Sequence, residues 1–132
     1  GRMMVGALSH IIANSIKYGR KDSTIHICAR VQKDDGIVIA VRDRSEGLSP
    51  TRLVAIREAL KAEATYFQMN GDGIGLGLSM AKELMQRQGG RITIDSMPAQ
   101  GTIVCLHVPQ EALRESADTL LASHVQSLPA HP

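Results

Sequence analysis

Near its start the chain reads Ala7-Leu8-Ser9-His10-Ile11-Ile12-Ala13-Asn14-Ser15-Ile16-Lys17-Tyr18-Gly19. At 3.6 residues per turn, the apolar side chains fall on one stripe, which predicts a helix over residues 3–17 that Gly19 ends. His10, Asn14 and Lys17, spaced at i, i+4 and i+7, form a polar stripe beside the apolar one. An amide and an ammonium lined up along a mostly buried helix indicate a face that binds a ligand.

A predicted strand later in the chain ends in a carboxylate. It reads Ile37-Val38-Ile39-Ala40-Val41-Arg42-Asp43, and Arg44-Ser45-Glu46-Gly47 follow it. Because side chains alternate along a strand, Asp43 points the same way as Ile39 and Val41 toward the core. A carboxylate on that face is costly unless a donor pairs with it.

A third stretch is rich in glycine and opens a helix. It reads Gly71-Asp72-Gly73-Ile74-Gly75-Leu76-Gly77-Leu78-Ser79, and the helical pattern runs over residues 74–88 to Gly89-Gly90. Glycines at a helix start leave backbone N–H groups accessible and let a phosphate approach closely. One Gly-x-Gly motif would be weak evidence for a nucleotide site.

In this order, the three stretches resemble the ATP-binding catalytic domain of bacterial sensor histidine kinases, whose fold is shared with gyrase, Hsp90 and MutL (the Bergerat fold). The resemblance rests on the Asn helix, the strand-end Asp with a following Gly, and Gly-x-Gly-Leu-Gly-Leu at a helix start, and it runs from about residue 3 to Pro109. The final part, from Gly89-Gly90 through Gly101-Thr102 to Val108-Pro109, is similar to the histidine-kinase branch in particular.

The predicted architecture is a two-layer α/β sandwich, a mixed β-sheet with helices on one face. Its hairpins pair residues 24–31 with 37–43 and residues 91–96 with 102–108. The first of these strands alternates apolar and polar residues, which predicts that it is half-buried. Family members usually carry another strand and more helix ahead of the Asn helix, so we expect an N-terminally truncated form whose sheet lacks an edge strand.

Two further helices complete the predicted helical layer. One begins with Ser49 as its N-cap and Pro50 at its first position and ends near Lys61; the other is the helix over 74–88. Their inward residues are Leu53, Ile56 and Leu60 in the first, and Ile74, Leu78, Ala81 and Met85 in the second.

The chain divides into two parts. Residues 1–109 form the predicted ATP-binding domain, and residues 110–132 a short C-terminal helix followed by a disordered tail. Residues 62–73 have no clear period, which indicates a mobile loop. This loop lies where the family has a lid over the phosphates.

The resemblance implies that Asn14 binds Mg²⁺, because a neutral amide oxygen suits a hard cation when three phosphates already bring the negative charge. His10 lies one turn earlier, where the family has a polar residue near the attacking group. A His there could polarise a nucleophile near neutral pH, or could only hydrogen-bond to groups nearby. Gyrase and Hsp90 have a water-activating Glu at this place, and its absence weakens an ATP-hydrolase interpretation.

The resemblance also implies contacts to the nucleotide. Lys17 would contact a phosphate, unless it is simply an exposed lysine, and Tyr18 would pack on adenine or ribose. Asp43 would accept the exocyclic amine of adenine in a charge-assisted hydrogen bond; the alternative is an Asp that ends a strand at a turn. Thr102 would hydrogen-bond near Asp43.

Glycine positions complete the implied site. Gly47 matches the second glycine of the family's Asp-x-Gly-x-Gly, but Ser45 stands where the first should be. A positive φ at Ser45 would strain the backbone by roughly 1–2 kcal/mol, whereas with negative φ its hydroxyl could contact ribose or phosphate. The implied phosphate loop and following helix contribute Gly73, Gly75, Leu76, Gly77 and Leu78.

Composition excludes several other classes of function. The chain has 132 residues, a net charge of +2 and 2% aromatic residues, which argues against a nucleic-acid partner. Cys28 and Cys105 lie in strand-like runs without metal-ligand spacing, which predicts buried, reduced thiols in a cytoplasmic protein. No apolar run approaches about 20 residues, so we expect no membrane contact from this segment, although a full-length receptor could have membrane segments upstream.

The leading hypothesis is the catalytic part of a histidine protein kinase, which binds ATP or ADP with Mg²⁺ and passes the γ-phosphoryl group of ATP to a histidine. None of the five histidines has the His-Glu/Asp-x-x-Thr/Asn context of an acceptor, so the acceptor would lie on the dimerisation domain of the same receptor, with a response regulator as an indirect partner. The alternative is a degenerate module that binds nucleotide weakly and acts through protein contacts. A serine kinase of the anti-sigma type fits the chain's ending less well.

Overall fold

The computed structural model describes residues 2–34, 36–61 and 75–113. Its elements are α1 (Arg2–Tyr18), β1 (His26–Val31), β2 (Ile37–Asp43), α2 (Pro50–Lys61), α3 (Gly75–Arg87), β3 (Arg91–Met97) and β4 (Gly101–Val108). Every helix and strand predicted within these ranges is present, close to its predicted bounds.

The four strands form one sheet in the order β1-β2-β4-β3. The two predicted hairpins, β1–β2 and β3–β4, join along β2 and β4, and all three pairings are antiparallel. The α/β sandwich is therefore confirmed. The parallel pairing that a mixed sheet requires does not occur among the described strands, because each pairing is either a hairpin or the antiparallel junction between the two hairpins.

The core between the sheet and the helices is aliphatic, as the low aromatic content predicts. Helix α2 buries the three residues expected of it, and α3 buries Leu78, Ala81 and Met85. The Ser49 hydroxyl accepts a hydrogen bond from the Arg52 amide at 3.2 Å, as an N-cap does. These contacts fix both helices over the sheet.

The predicted burial of β1 is wrong. All six of its residues are exposed, including Ile27 at 49% and Val31 at 72%. Alternation shows which side chains of a strand share a face, but that face is buried only where a second layer covers it. The described helices pack mainly over β2, β3 and β4. Cys28 lies on this edge strand and is exposed, so the prediction of two buried thiols is wrong for Cys28, while Cys105 is half-buried.

The two terminal predictions are only partly within the described ranges. Residues 110–113 are helical, and Ala112 is buried in the core. The rest of the predicted C-terminal helix and tail, and the loop over 62–73, lie outside the described residues. None of the described helices combines the length and hydrophobicity needed to cross a bilayer.

Candidate functional site

A polar row crosses the end of the sheet. Asp43 on β2 is paired with Thr102 on β4, and Thr102 is paired with Ser96 on β3. Alternation along the strands puts this row on the face that carries the buried Val41 and Val104. The apolar inner face of the sheet therefore ends in a carboxylate and two hydroxyl groups.

Asp43 lies on the inner face, as the strand period predicted, and is only 6% exposed. Its Oδ1 atom is buried and has no hydrogen-bond partner among the residues that the structure describes. A buried carboxylate oxygen without a donor is costly. The site therefore offers a strong acceptor to a ligand that brings an N–H or O–H group.

A cavity of about 310 Å³ opens beside this carboxylate. Its size is at the lower end of the range typical of small-molecule sites. The apolar part of its wall includes Ile11, Leu48, Ile94 and Val104. The predicted site residues in its wall are Asn14, Tyr18, Asp43, Gly47, Leu78 and Thr102. Six positions from five separate elements and loops thus meet at one cavity.

Asn14 faces the first turn of α3. A Cβ atom on Gly77 would lie 2.8 Å from the Asn14 Oδ1 atom, which is closer than real Cβ contacts allow. Any other residue at position 77 would therefore push against the amide. The close approach brings the predicted metal ligand next to the helix start that the glycine-rich stretch was expected to form.

Two predicted residues on α1 lie outside the cavity wall as the structure describes it. His10 is half-buried one turn before Asn14, and Lys17 is exposed. The Lys17 Nζ atom lies 5.4 Å from the centre of the Tyr18 ring. Both residues flank the site along α1 instead of facing the polar row.

The backbone conformation and the close surroundings of position 47, in the loop after β2, both require a glycine. Its φ is 74°, and a Cβ atom there would collide with the Met97 carbonyl oxygen. Ser45 is different: the non-glycine residues with positive φ in the described ranges are Asp22 and Ala99. The strain considered for Ser45 is therefore absent.

The Ser45 hydroxyl instead supports the loop. Its Oγ atom accepts a hydrogen bond from the Gly47 amide at 3.2 Å, and the residue is buried in the cavity wall. A serine that closes a turn with its own hydroxyl needs no left-handed backbone. Its replacement of the family's glycine leaves the loop relaxed.

Parts of the predicted phosphate loop cannot be compared with the structure. Gly73 lies outside the described residues. Of Gly75 and Leu76, only the backbone is described, and it forms the start of α3. Leu78 is buried in the core as predicted.

Two polar residues with well-defined contacts were not predicted. Ser96 extends the polar row, and its position two residues after Ile94 in the inward alternation of β3 could have identified it. Lys82 on α3 is buried, and its Nζ atom donates to the Ala59 carbonyl at 2.8 Å. Burial lowers the pKa of Lys82. This lysine connects α3 to the end of α2, and the segment that the resemblance assigns to the lid lies between these two helices in the sequence.

Helix α2 has two cationic side chains in its second half, Arg57 and Lys61. Arg57 donates to the Ile94 carbonyl at 3.0 Å and to the Asp95 carboxylate at 3.1 Å. These bonds hold the Arg57 guanidinium against the outer edge of β3. In this structure it does not line the cavity beside Asp43.

The sequence also matches a known family over most of its length. Residues 2–112 match the family described as histidine kinase-, DNA gyrase B-, and HSP90-like ATPase. The chain belongs to this family of ATPases. The buried acceptor, the amide and the close-packed glycine thus lie in a domain of an ATP-binding family.

The curated proteins to which the chain is similar include sensor histidine kinases. It is 28% identical to the sensor histidine kinase ZraS of Salmonella typhimurium over 77% of this chain and 21% of that protein. It is 31% identical to the alginate biosynthesis sensor protein KinB of Pseudomonas aeruginosa over 77% of this chain and 16% of that protein. The chain thus spans about a fifth or less of the length of these curated relatives.

Solved structures share the fold. The mycobacterial sensor histidine kinase MprB superposes with a TM-score of 0.62 at 18% identity, over 79% of this chain and 68% of that one. Full-length ShkA in complex with AMPPNP superposes with a TM-score of 0.61 at 21% identity, over 79% of this chain and 21% of that one. The domain therefore has the fold of the ATP-binding domain of sensor histidine kinases.

Proposed function

We propose that this domain binds ATP with Mg²⁺ and presents the γ-phosphoryl group to a histidine on a separate dimerisation domain of the same receptor. The observation that carries the proposal is the buried Asp43 carboxylate, which lines a cavity and whose Oδ1 atom has no donor among the residues that the structure describes. An adenine exocyclic amine would supply that donor. Charge-assisted hydrogen bonds of this kind are about twice as strong as neutral ones.

The residues beside the cavity fit the rest of a nucleotide. Asn14 would hold Mg²⁺ through its amide oxygen, because this oxygen lies at the start of α3, where backbone N–H groups favour phosphate. Tyr18 would cover the base or ribose, and Lys17 on the same helix turn would approach a phosphate. Bound Mg²⁺ would neutralise part of the phosphate charge. Phosphoryl transfer depends mainly on positioning and charge neutralisation, so the domain needs no nucleophile of its own.

The role that we propose for His10 is smaller than that of Asn14. It lies one turn from Asn14 and outside the described cavity wall, so we assign it an accessory role beside the metal ligand. The proposal further places the domain in the cytoplasm, where ATP is available, with a response regulator as an indirect partner. The degenerate-module alternative loses one of its grounds, because backbone strain at Ser45 is absent. The lid segment and the shortened start still motivate it.

Nucleotide titration tests the proposal directly. The wild type should bind ADP saturably in calorimetry, and removal of Mg²⁺ with a chelator should weaken binding about tenfold or more. Asn14→Ala should bind more weakly and should no longer respond to Mg²⁺. The matched control is Ser9→Ala on the same helix, whose hydroxyl only bonds to the Val5 carbonyl. A wild type that fails to saturate at millimolar ADP would favour the degenerate module.

The isolated chain should not phosphorylate itself. None of its histidines, which are His10, His26, His107, His124 and His131, has acceptor context. Incubation with γ-labelled ATP and Mg²⁺ should leave the chain without acid-labile label, whereas addition of the separate dimerisation segment should yield label on that segment. Acid-labile label on His10 or His26 would contradict this division of labour.

A further inference from the structure

Ser96 is the end of the polar row, and its hydroxyl has three polar neighbours. The Leu48 amide donates to the Ser96 Oγ atom at 2.7 Å. The Gly101 carbonyl oxygen lies 3.0 Å from the same atom, and the Thr102 hydroxyl also lies at 3.0 Å. These contacts connect the loop after β2, the turn between β3 and β4, and the centre of the polar row.

One assignment of the hydrogens satisfies all three contacts of the Ser96 hydroxyl. A hydroxyl has one hydrogen to donate and two lone pairs to accept with. The Gly101 carbonyl can only accept, so it takes the Ser96 hydrogen, and the Leu48 N–H occupies one Ser96 lone pair. The remaining lone pair can only accept, so in this assignment the Thr102 hydroxyl donates to Ser96. The hydrogen of Thr102 therefore points away from Asp43, and its oxygen turns lone pairs toward the cavity.

This arrangement gives the cavity wall two adjacent acceptors. Asp43 and Thr102 are direct neighbours across β2 and β4, and both line the cavity. An amino group on a ligand, with two hydrogens, can satisfy both acceptors directly or through water. A carbonyl oxygen at the same place would face two acceptors and leave buried acceptors unpaired, which is the kind of mismatch that binding sites reject strongly.

We propose that Ser96 is a positioning residue for base selection: it holds the Thr102 hydrogen away from the cavity, so that the site takes 6-aminopurine nucleotides and rejects 6-oxopurine nucleotides. This inference rests on the proposed nucleotide site. Ser96 itself need not touch the base; it acts by fixing which groups Thr102 can bind.

Removal of the Ser96 hydroxyl should release that restraint. In Ser96→Ala, the Thr102 hydroxyl can rotate and donate to a 6-oxo group. The ratio of the dissociation constants for inosine diphosphate and ADP, measured by calorimetry, should fall about tenfold. Ser96→Thr, which keeps the hydroxyl, should restore the wild-type ratio. A purely structural role would weaken both nucleotides equally and leave the ratio unchanged, which would overturn the inference.

A double-mutant cycle identifies Thr102 as the intermediary. Thr102→Val has no hydroxyl to redirect. The double variant with Ser96→Ala should therefore have the same ratio of dissociation constants for inosine diphosphate and ADP as Thr102→Val alone. If Ser96→Ala lowers the ratio equally in both backgrounds, Ser96 does not act through Thr102, and the inference fails.

A measurement without ligand separates this inference from the proposed function. In the free wild-type protein, NMR should show a slowly exchanging Thr102 hydroxyl proton with a cross-peak to the Ser96 side chain, and both signals should be absent in Ser96→Ala. If the wild type binds neither nucleotide, the proposed function fails, while this cross-peak still decides the hydrogen assignment. A Thr102 hydroxyl proton directed at Asp43, or one in fast exchange with water, would overturn the assignment.

Discussion

Asp43→Asn should stabilise the free domain and remove most of its affinity for adenine nucleotides. In the free protein the Asp43 Oδ1 atom is buried without a donor among the described residues. The neutral amide removes the cost of a buried, unpaired charge, which we expect to raise the free energy of unfolding by about 1–3 kcal/mol. In the complex, the neutral amide accepts a hydrogen bond less strongly than a carboxylate. We expect a loss of about 1–3 kcal/mol in binding, which is roughly tenfold to hundredfold in the dissociation constant.

The expected effects of Asp43→Asn on stability and on affinity have opposite signs, so a general loss of folding cannot imitate them. Urea denaturation measures the free energy of unfolding, and calorimetry with ADP measures affinity. The matched control is Asp95→Asn, because the Asp95 side chain is 72% exposed and pairs with Arg57 at 3.1 Å on the outer face of the sheet. Loss of an exposed pair should change stability by at most about 1 kcal/mol and leave affinity unchanged. A destabilised Asp43→Asn protein would mean that the carboxylate has a partner in the free state, and an unchanged affinity would remove Asp43 from the site.

The helices and β2 could be predicted from sequence because their signals are local. The Ser49-Pro50 start of α2 and the inward spacing of Leu53, Ile56 and Leu60 depend on residues within one helix. The inward direction of Asp43 follows from strand alternation alone. These features needed no knowledge of how the elements pack, and the structure confirms them.

The features that the sequence could not predict depend on what lies across from a residue. The alternation in β1 is real, but no pattern within β1 can show that the helical layer leaves this edge uncovered. The polar stripe on α1 includes His10, Asn14 and Lys17, yet only Asn14 lines the described cavity, because the packing of α1 sets which part of the stripe faces the polar row. The contact of Lys82 with Ala59 is between different helices and leaves no local signal.

The family's motif was informative about positions and misleading about one conformation. It identified the loop after β2, where Gly47 requires a left-handed backbone. It also suggested that a serine at position 45 would be strained, although the Ser45 hydroxyl closes the turn on the Gly47 amide. Replacement of a motif glycine strains the backbone only where that glycine has a conformation that other residues avoid.

Gly47→Ala should destabilise the domain much more than the same change at Gly89, although both glycines have nearly the same backbone conformation. Their φ angles are 74° and 76°, so alanine at either position incurs a similar left-handed backbone cost of about 1–2 kcal/mol. At Gly89 the new Cβ atom would meet only the Pro109 Cγ atom at 3.8 Å, an ordinary contact. At Gly47 it would collide with the Met97 carbonyl oxygen. We therefore expect a loss of roughly 3 kcal/mol or more at Gly47.

The difference in free energy of unfolding between the two variants measures the cost of the collision, because the cost of a left-handed alanine is the same in both. Urea denaturation should give Gly47→Ala a lower free energy of unfolding than Gly89→Ala by at least about 1.5 kcal/mol, beyond the shared backbone cost. Under conditions where both variants are folded, Gly47→Ala should also bind ADP more weakly, because Gly47 lies in the cavity wall and the turn with Met97 must move to admit a Cβ atom. Gly89 lies beyond the end of α3 and outside that wall, so its variant should bind ADP as the wild type does. Equal destabilisation of the two variants would show that the turn between β3 and β4 yields easily, and that Gly47 is required by its backbone conformation alone.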